Sequence, residues 1–268
     1  MFFENDNDVT NYGGAIFTDN CTLTMNGCIV FGSNAYYGSG LYAHESNVYM
    51  ADCYFCMCGG LNSEYGGAIY LDVSTLNAAR CSFYDNYAFW YGGGIFISSF
   101  DGDCTATLSN CTLSYNYTDT GGGAGIYAES DVGSASLTLT GCTFYMNEAG
   151  GDGGGLQQYG SKSATTISNC VFDNYATGSD DNIDIEAGVA VSNYSLYSDT
   201  PAFTLGPNDI TDTYPLCYWM ADNGGTTPTC AIDSTSPARS AGSNAGLVTD
   251  QRGVARGPAY DIGAYQWV

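Results

Sequence analysis

The sequence predicts an all-β fold, a right-handed parallel β-helix solenoid with an irregular C-terminal cap. Three observations support this prediction. A glycine-rich element recurs at intervals of 25 to 31 residues, a cysteine element follows each copy, and the residues between them alternate in polarity. A repeat of this length without helical periodicity indicates a coil of short strands that stacks on its neighbours. We therefore expect like residues of successive coils to lie above one another.

The first repeated element is a cluster of small residues that leads into an aliphatic residue. Its glycines suit corners where the backbone φ is positive or where two backbones approach closely. The six copies are Gly13-Gly14-Ala15-Ile16, Gly38-Ser39-Gly40-Leu41, Gly66-Gly67-Ala68-Ile69, Gly92-Gly93-Gly94-Ile95, Gly123-Ala124-Gly125-Ile126 and Gly153-Gly154-Gly155-Leu156. Each copy predicts one corner followed by one strand.

The second element is a cysteine at one fixed position of the repeat. Cysteine is among the most buried residue types, and thiols stacked in parallel register do not point toward one another. We therefore expect a structural ladder of inward thiols at Cys28, Cys53, Cys81, Cys111, Cys142 and Cys170.

The segments between these elements read as strands. Residues 22–25, 105–108 and 136–139 place an apolar side chain at every second position, the period of a half-buried strand. No segment shows the spacing of an amphipathic helix. Each coil should therefore contain about three short strands.

Two regions are expected along the chain. Residues 1–195 should form six to seven coils, starting in the middle of a coil, because Phe2-Phe3-Glu4-Asn5 resembles the end of a repeat. Residues 196–268 lose the repeat and should cap the last coil, with the tail from Tyr214 covering that end alone. The first coil would then dock head-to-tail on another chain, on a copy of itself or on upstream coils.

Charge excludes several partners. The chain has 28 acidic and 5 basic residues, a formal net charge of −23, so nucleic acid and anionic membranes are poor partners. No apolar run approaches the roughly 18 residues of a membrane-spanning helix, so direct membrane insertion is not expected.

The repeats and the tail carry a family resemblance. The Gly-Gly-Ala-Ile and Phe-x-x-Asn elements resemble the repeats of chlamydial polymorphic outer membrane proteins and of pectate-lyase-like β-helix proteins. The segments 222–229, 236–238, 250–253 and 261–265 resemble the C-terminal end of choice-of-anchor Q surface proteins. This resemblance implies an extracellular or cell-surface β-helix, generally without catalytic activity.

The expected function is therefore a non-enzymatic structural or surface protein, a subunit of a fibre, a coat or an adhesive assembly. The alternative is a carbohydrate-active enzyme, either a polysaccharide lyase or a glycoside hydrolase. Lyases need a Lys or Arg base, often with Ca²⁺, whereas hydrolases need paired carboxylates. The repeats contain only Arg80 and Lys162 as strong bases, and His44 is the single histidine. A groove that gathers two carboxylates on one face would favour the enzyme.

Two sets of side chains suggest ligand contacts, one with carbohydrate and the other with Ca²⁺. Tyrosines precede four glycine corners and should stack into an aromatic contact column, at Tyr12, Tyr37, Tyr65 and Tyr91. Acidic corners offer hard oxygen ligands that suit Ca²⁺, at Asp101, Asp103, Asp180, Asp181, Asp184 and Glu186. No other cofactor is expected.

Two covalent features are also predicted. Cys217 and Cys230 flank a Gly/Pro-rich part of the tail, where a disulfide would reduce the entropy of the unfolded chain. Four Asn-x-Ser/Thr sequons are glycosylation acceptors in a secreting eukaryote, at Asn20, Asn110, Asn116 and Asn193.

Overall fold

The computed structural model describes residues 2–4 and 10–268. The described part of the chain forms strands and no helix. In chain order the strands are β1 (Phe2–Glu4), β2 (Thr10–Tyr12), β3 (Ile16–Asp19), β4 (Thr22–Asn26), β5 (Ile29–Phe31), β6 (Ala35–Tyr37), β7 (Leu41–His44), β8 (Asn47–Ala51), β9 (Tyr54–Cys56), β10 (Ile69–Asp72), β11 (Thr75–Ala79), β12 (Ser82–Tyr84), β13 (Tyr87–Ala88), β14 (Ile95–Ser99), β15 (Cys104–Ser109), β16 (Thr112–Ser114), β17 (Tyr117–Thr118), β18 (Ile126–Ser130), β19 (Ala135–Thr140), β20 (Thr143–Ala149), β21 (Leu156–Tyr159), β22 (Ala164–Ser168), β23 (Val171–Ala176), β24 (Ile183–Ile185), β25 (Val189–Asn193) and β26 (Leu196–Tyr197).

All of these strands except β2 and β6, which pair in a separate two-stranded sheet, stack into three long parallel sheets that run the length of a solenoid. Sheet I contains β1, β5, β9, β12, β16, β20, β23 and β26, with β13 and β17 beside them. Sheet II contains β3, β7, β10, β14, β18, β21 and β24, and sheet III contains β4, β8, β11, β15, β19, β22 and β25. The all-β parallel solenoid is confirmed, with one strand of each seven-stranded sheet per coil. No helix in the described residues is long and apolar enough to span a membrane.

The apolar core fills the space between the three sheets. Alternate strand residues point inward, as in β10, where Ile69 and Leu71 are fully buried. The cysteine column lies in this core in register, with the Tyr54 amide donating to the Cys28 carbonyl and the Ser82 amide to that of Cys53. Cys28, at the end of the column, is partly exposed, and the other five members are fully buried.

A corner residue with positive φ precedes every cysteine of the column. Gly27 has φ 61°, Asp52 55° and Arg80 53°, and the pattern continues through Asn169. Only glycine adopts this conformation without strain, and Asn and Asp tolerate it better than most residues. The same corner recurs in each coil and turns the chain from sheet III into sheet I.

Buried asparagines form a second internal ladder, next to the end of each sheet I strand. The Asn86 Nδ2 donates to Asn116 Oδ1 at 2.8 Å, and Asn116 Nδ2 donates to Asn147 Oδ1 at the same distance. Asn147 continues the ladder to Asn174, which bonds to Asn182. Each amide also bonds to the backbone, as Asn116 Nδ2 does to the Phe83 carbonyl. The ladder satisfies buried backbone groups at a corner where the strand pairing is interrupted.

The C-terminal region does more than cap the last coil. Residues 199–213 close the end, where Phe203 and Leu205 pack against the core. Residues 214–268, which we name the strap, instead return along the outer face of sheet I. Thr226 Oγ1 donates to Asp52 Oδ1 at 2.6 Å, and Ser82 Oγ donates to the Pro228 carbonyl. The expectation that this tail covers only one end of the solenoid is therefore wrong.

The strap is held by side chains that enter sheet I. Gln251 is 1% exposed and bonds both to sheet I and to the strap itself. Its Nε2 donates to Ser82 Oγ on sheet I and to Thr227 Oγ1 on the strap, and its Oε1 accepts from Thr112 Oγ1 on sheet I. Arg252 and the buried Asp250 form an ion pair at 2.7 Å beside it. Sequence periodicity could not reveal these contacts, because the sequence of the strap is not periodic.

The predicted start of the solenoid lies partly outside the described residues. Met1 and Asn5 are not described, whereas Phe2–Glu4 forms β1 and pairs with β5, with Phe2 opposite Ile29. This register places β1 in sheet I, which contains the last strand of each coil. The similarity of residues 2–5 to the end of a repeat predicts this position.

Candidate functional site

The four predicted tyrosines lie in one column beside sheet II. The ring centroids of Tyr12 and Tyr37 are 5.2 Å apart, those of Tyr37 and Tyr65 5.6 Å, and those of Tyr65 and Tyr91 6.2 Å. Each pair is stacked, because parallel bridges bring equivalent residues of successive coils together. We name these residues the tyrosine column. They lie at the glycine corner and are half-buried or exposed.

A second aromatic column, which sequence reasoning missed, lies next to the first on sheet II itself. Neighbouring rings stack with centroids 4.8 to 5.6 Å apart. The members are Phe17, Tyr42, Tyr70, Phe96 and Tyr127. Each directly follows the aliphatic residue of the glycine element, so the signal was present in the sequence. We name this set the central column.

The two columns meet at steep angles. The ring planes of Tyr37 and Tyr70 are inclined at 86° to each other, and those of Tyr65 and Phe96 at 72°. Edge-to-face contacts of this kind are favourable beyond the area that they bury. In the central column Tyr42, Phe96 and Tyr127 are buried, whereas Phe17 at its end is 55% exposed, similar to Tyr12 at 47%.

A polar row flanks the central column on its other side. The strand register places Asp19, His44, Asp72, Ser98, Glu129 and Tyr159 in line, and the Glu186 amide, which donates to the Gln158 carbonyl, continues the row. We name these seven residues the acidic row. Its carboxylates stand on every second coil, at Asp19, Asp72, Glu129 and Glu186.

Hydrogen bonds fix the first half of the acidic row. His44 Nδ1 lies 2.7 Å from Asp19 Oδ1, and Nε2 lies 4.0 Å from Asp72 Oδ2. The bond to Asp19 raises the pKa of His44. Tyr42 donates to Asp72 Oδ2 at 2.8 Å, so the central column and the acidic row are joined. At Glu129, which lies further along the row, burial raises the pKa of the carboxyl group.

Columns and row enclose a groove on the outside of sheet II. A cavity of about 310 Å³ is bordered by aromatic rings, carboxylates and Ser98, namely Tyr12, Tyr37, Tyr42, Tyr70, Asp72, Ser98, Phe100, Asp101 and Glu129. A neighbouring cavity of about 250 Å³ extends it past Phe17, Asp19 and His44. The groove therefore offers apolar ring surface together with hydrogen-bond acceptors, a combination typical of ligand sites.

The character of the face changes at the fifth and sixth coils. In the fifth coil Gly122 occupies the position at which the tyrosine column would continue, and in the sixth coil Gln157 takes the place of an aromatic residue in the central column. A Cβ at Gly122 would lie 2.0 Å from Gln157 Oε1, so only glycine leaves room for this amide. Gln157 Nε2 donates to Asp184 Oδ2 at 2.8 Å and to Glu186 Oε1 at 3.0 Å. The groove face thus gathers two carboxylates around one nitrogen.

Electrostatics at this end raise the pKa values of two acids. Burial, with the charges of Asp152 and Asp180, raises the pKa of Asp184. Burial, with the charges of Asp184 and Asp152, raises the pKa of Glu186. Gln157 is 5% exposed, and its Oε1 accepts no hydrogen bond. A buried acceptor without a partner is costly, and a ligand that donates an N–H or O–H would satisfy it.

The six predicted calcium ligands do not form one site. Asp103 Oδ1 accepts from the Ser134 amide, and Asp181 Oδ1 accepts from the Ala176 amide. Asp101 borders the groove, while Asp184 and Glu186 are held by Gln157 at the sixth and seventh coils. Across residues 2–4 and 10–268, no three His, Cys, Asp or Glu side chains are grouped so as to hold a metal ion. Asp101 and Asp103 lie between β14 and β15, whereas Asp180 and Asp181 lie between β23 and β24, so they occupy different corners of distant coils.

The predicted disulfide is not formed, since Cys217 and Cys230 are both free thiols. The antiparallel register places Cys217 opposite Ile232 rather than opposite Cys230. The Cys230 thiol lies 3.8 Å from Ser114 Oγ on sheet I. The strap is thus anchored by packing and hydrogen bonds instead of a covalent bridge.

For two of the four sequons, the prediction of a glycosylation site is wrong. Asn116 is fully buried in the asparagine ladder, and Asn110 is 6% exposed, with its Nδ2 donating to the Thr249 carbonyl under the strap. Neither nitrogen can accept a glycan in the folded chain. Asn20 is exposed, and Asn193 is half-buried, with its Oδ1 accepting from Asn208.

Comparison with known proteins identifies the fold family. Searches of the curated proteins and of the solved structures each find no match. The family described as "Right handed beta helix region" matches residues 4–194. This match spans most of the chain and includes the strands from β2 to β25, and the parallel sheets agree with it. The chain belongs to the right-handed β-helix family.

Proposed function

We propose that this chain is a non-enzymatic extracellular or cell-surface β-helix protein that holds an extended polysaccharide along sheet II. It would serve as a subunit of a fibre, a coat or an adhesive assembly, with chains meeting head-to-tail. The tail's resemblance to choice-of-anchor Q proteins and the repeats' resemblance to chlamydial polymorphic outer membrane proteins support the surface location.

One observation carries the binding proposal: the groove combines two aromatic columns with a row of acceptors along successive coils. Aromatic rings provide apolar surface for sugar rings, and the carboxylates and tyrosine hydroxyls provide partners for sugar hydroxyls. The coils repeat at about 4.8 Å, so the same contacts recur along a straight line. A polymer can use such a line, whereas a small molecule can occupy only part of it.

The test is co-sedimentation of the purified chain with a panel of insoluble polysaccharides. Replacing Tyr37, which borders the groove, by Ala should weaken binding several-fold. Tyr49→Ala is the matched control, because Tyr49 is an exposed tyrosine on sheet III. Equal loss in both variants, or no binding by the parent chain, would contradict the proposal.

A second candidate function is glycoside hydrolysis at the sixth and seventh coils. The specific observation is that Asp184 and Glu186 both accept hydrogen bonds from Gln157 Nε2. Retaining glycosidases use two carboxyl groups about 5–5.5 Å apart, one of them protonated. Release of reducing ends from a bound polysaccharide, abolished by Asp184→Asn and by Glu186→Gln, would establish this activity in place of the non-enzymatic role.

A further inference from the structure

We propose that the polysaccharide held by this groove is a cationic glycan, a β-linked polymer of sugars with free amino groups. This inference rests on the proposed function and specifies the class of its ligand. It is carried by the period of the carboxylates in the acidic row and by the lack of opposing charges beside them.

The first step is the spacing of the carboxylates. Asp19, Asp72, Glu129 and Glu186 occupy alternate coils of one in-register row. Two coils correspond to about 9.6 Å, since stacked strands lie about 4.8 Å apart. An extended β-linked glycan turns successive sugars by about half a revolution, so equivalent groups face the same side at every second sugar. A row of amino groups on one side of such a chain therefore has a period close to that of the carboxylates.

The second step is charge. Within the three columns of the groove face, His44 is the single basic side chain among the described residues, and Asp19 already binds it. The strong bases lie elsewhere: Arg80 pairs with Asp52, Lys162 donates to the Val132 carbonyl, and the remaining arginines lie in the strap. Among residues 2–4 and 10–268, the acidic row consequently has no cationic partner apart from that histidine.

The third step compares ligand classes. A polyuronate would be repelled by this row and by the net charge of −23. A neutral glycan would cover Asp72 and Glu129 without supplying a countercharge, which disfavours binding. An ammonium group would form charge-assisted hydrogen bonds with these carboxylates. At the sixth coil the same kind of donor would also suit the unpartnered Oε1 of Gln157.

A basic peptide carries the same charge, but the groove fits a glycan better. The tyrosine column runs from Tyr12 to Tyr91 and the central column from Phe17 to Tyr127, so a glycan bound over these coils meets ring surface as well as charge. Lysine ammonium groups stand on long flexible stems, whereas amino groups on a sugar ring are held at the ring itself.

The experiment is titration calorimetry at low salt with oligomers of β-1,4-linked glucosamine and with the same oligomers fully N-acetylated. The glucosamine oligomer should bind at least about tenfold more tightly. Glu129→Gln and Asp72→Asn should each weaken it several-fold and affect the acetylated oligomer much less, because the amide oxygen still accepts a hydrogen bond from a sugar hydroxyl. Glu148→Gln is the matched control, because Glu148 is an exposed acid in sheet I.

The possible failures can be told apart. Equal affinity for both oligomers would overturn the cationic class and leave polysaccharide binding in place. Binding of neither oligomer, nor of any polysaccharide in the panel, would overturn the proposed function itself. Equally tight binding of polylysine of matched length, sensitive to Glu129→Gln, would show that the partner is a basic peptide. Unchanged affinity of both groove variants for glucosamine would show that the acidic row is not the site.

Discussion

At the scale of single residues, the asparagine ladder shows how one side chain can serve two coils. Asn116 donates from Nδ2 to the Phe83 carbonyl and to Asn147, and its Oδ1 accepts from the Asn86 amide at 3.2 Å. The sequence shows an asparagine near this position in most repeats. Its burial follows only from the stacking of coils, which also explains why the sequon at Asn116 is misleading.

Asn116→Asp should destabilise the chain in a pH-dependent manner. Burial would raise the pKa of the new carboxyl group above its unfolded value of about 3.9. The variant should therefore be least destabilised below about pH 4, and the loss should grow as pH rises, to about 3 kcal/mol or more at pH 7. Urea unfolding at several pH values measures this loss. Asn26→Asp, at an exposed position, is the control, and an equal, pH-independent effect in both variants would refute the ladder's role.

His44 provides a second test at the residue scale, because a single histidine gives a single titration. The hydrogen bond to Asp19 raises its pKa above the usual value of about 6.5. The pair should stabilise the fold below that pH, and the contribution should disappear as pH rises through the raised pKa. NMR titration should show the elevated value in the parent chain and a lower one in Asp19→Asn. A parent pKa at or below 6.5 would show that the pair does not form.

At the scale of elements, the repeats are predictable and the strap is not. The glycine and cysteine elements recur at fixed positions, so the coils, the inward thiols and the tyrosine column follow from the sequence. The contact of Gln251 with Ser82 joins residues 169 positions apart and repeats nowhere. The central column escaped prediction for a different reason, since its members vary between Phe and Tyr and immediately follow a residue already assigned to the core.

The strap should loosen when Gln251 is replaced by Ala. The variant leaves Ser82, Thr112 and Thr227 without their shared partner in a buried contact, which should cost about 2–4 kcal/mol if the strap unfolds with the coils. Hydrogen exchange should increase across residues 226–264. Val248→Ala is the control, because Val248 is 79% exposed on the same strap. Unchanged exchange in Gln251→Ala would show that other contacts hold the strap.

At the scale of the whole molecule, the three sheets present different outer faces. The strap covers much of sheet I. The outward strand positions of sheet III carry Thr, Ser, Asn, Tyr, Ala and Val and no charged residue, despite the net charge of −23. Sheet II alone combines a long groove with aromatic columns and regularly spaced carboxylates. This division of the surface is why we assign ligand binding to sheet II.

The most direct test of that assignment is a crystal structure of the chain with a bound glucosamine oligomer. The sugar rings should lie along the groove beside Tyr37 and Tyr70, with amino nitrogens about 2.7–2.9 Å from carboxylate oxygens of Asp72 and Glu129. An oligomer bound instead on sheet III or on the strap, with the sheet II groove empty, would contradict the account.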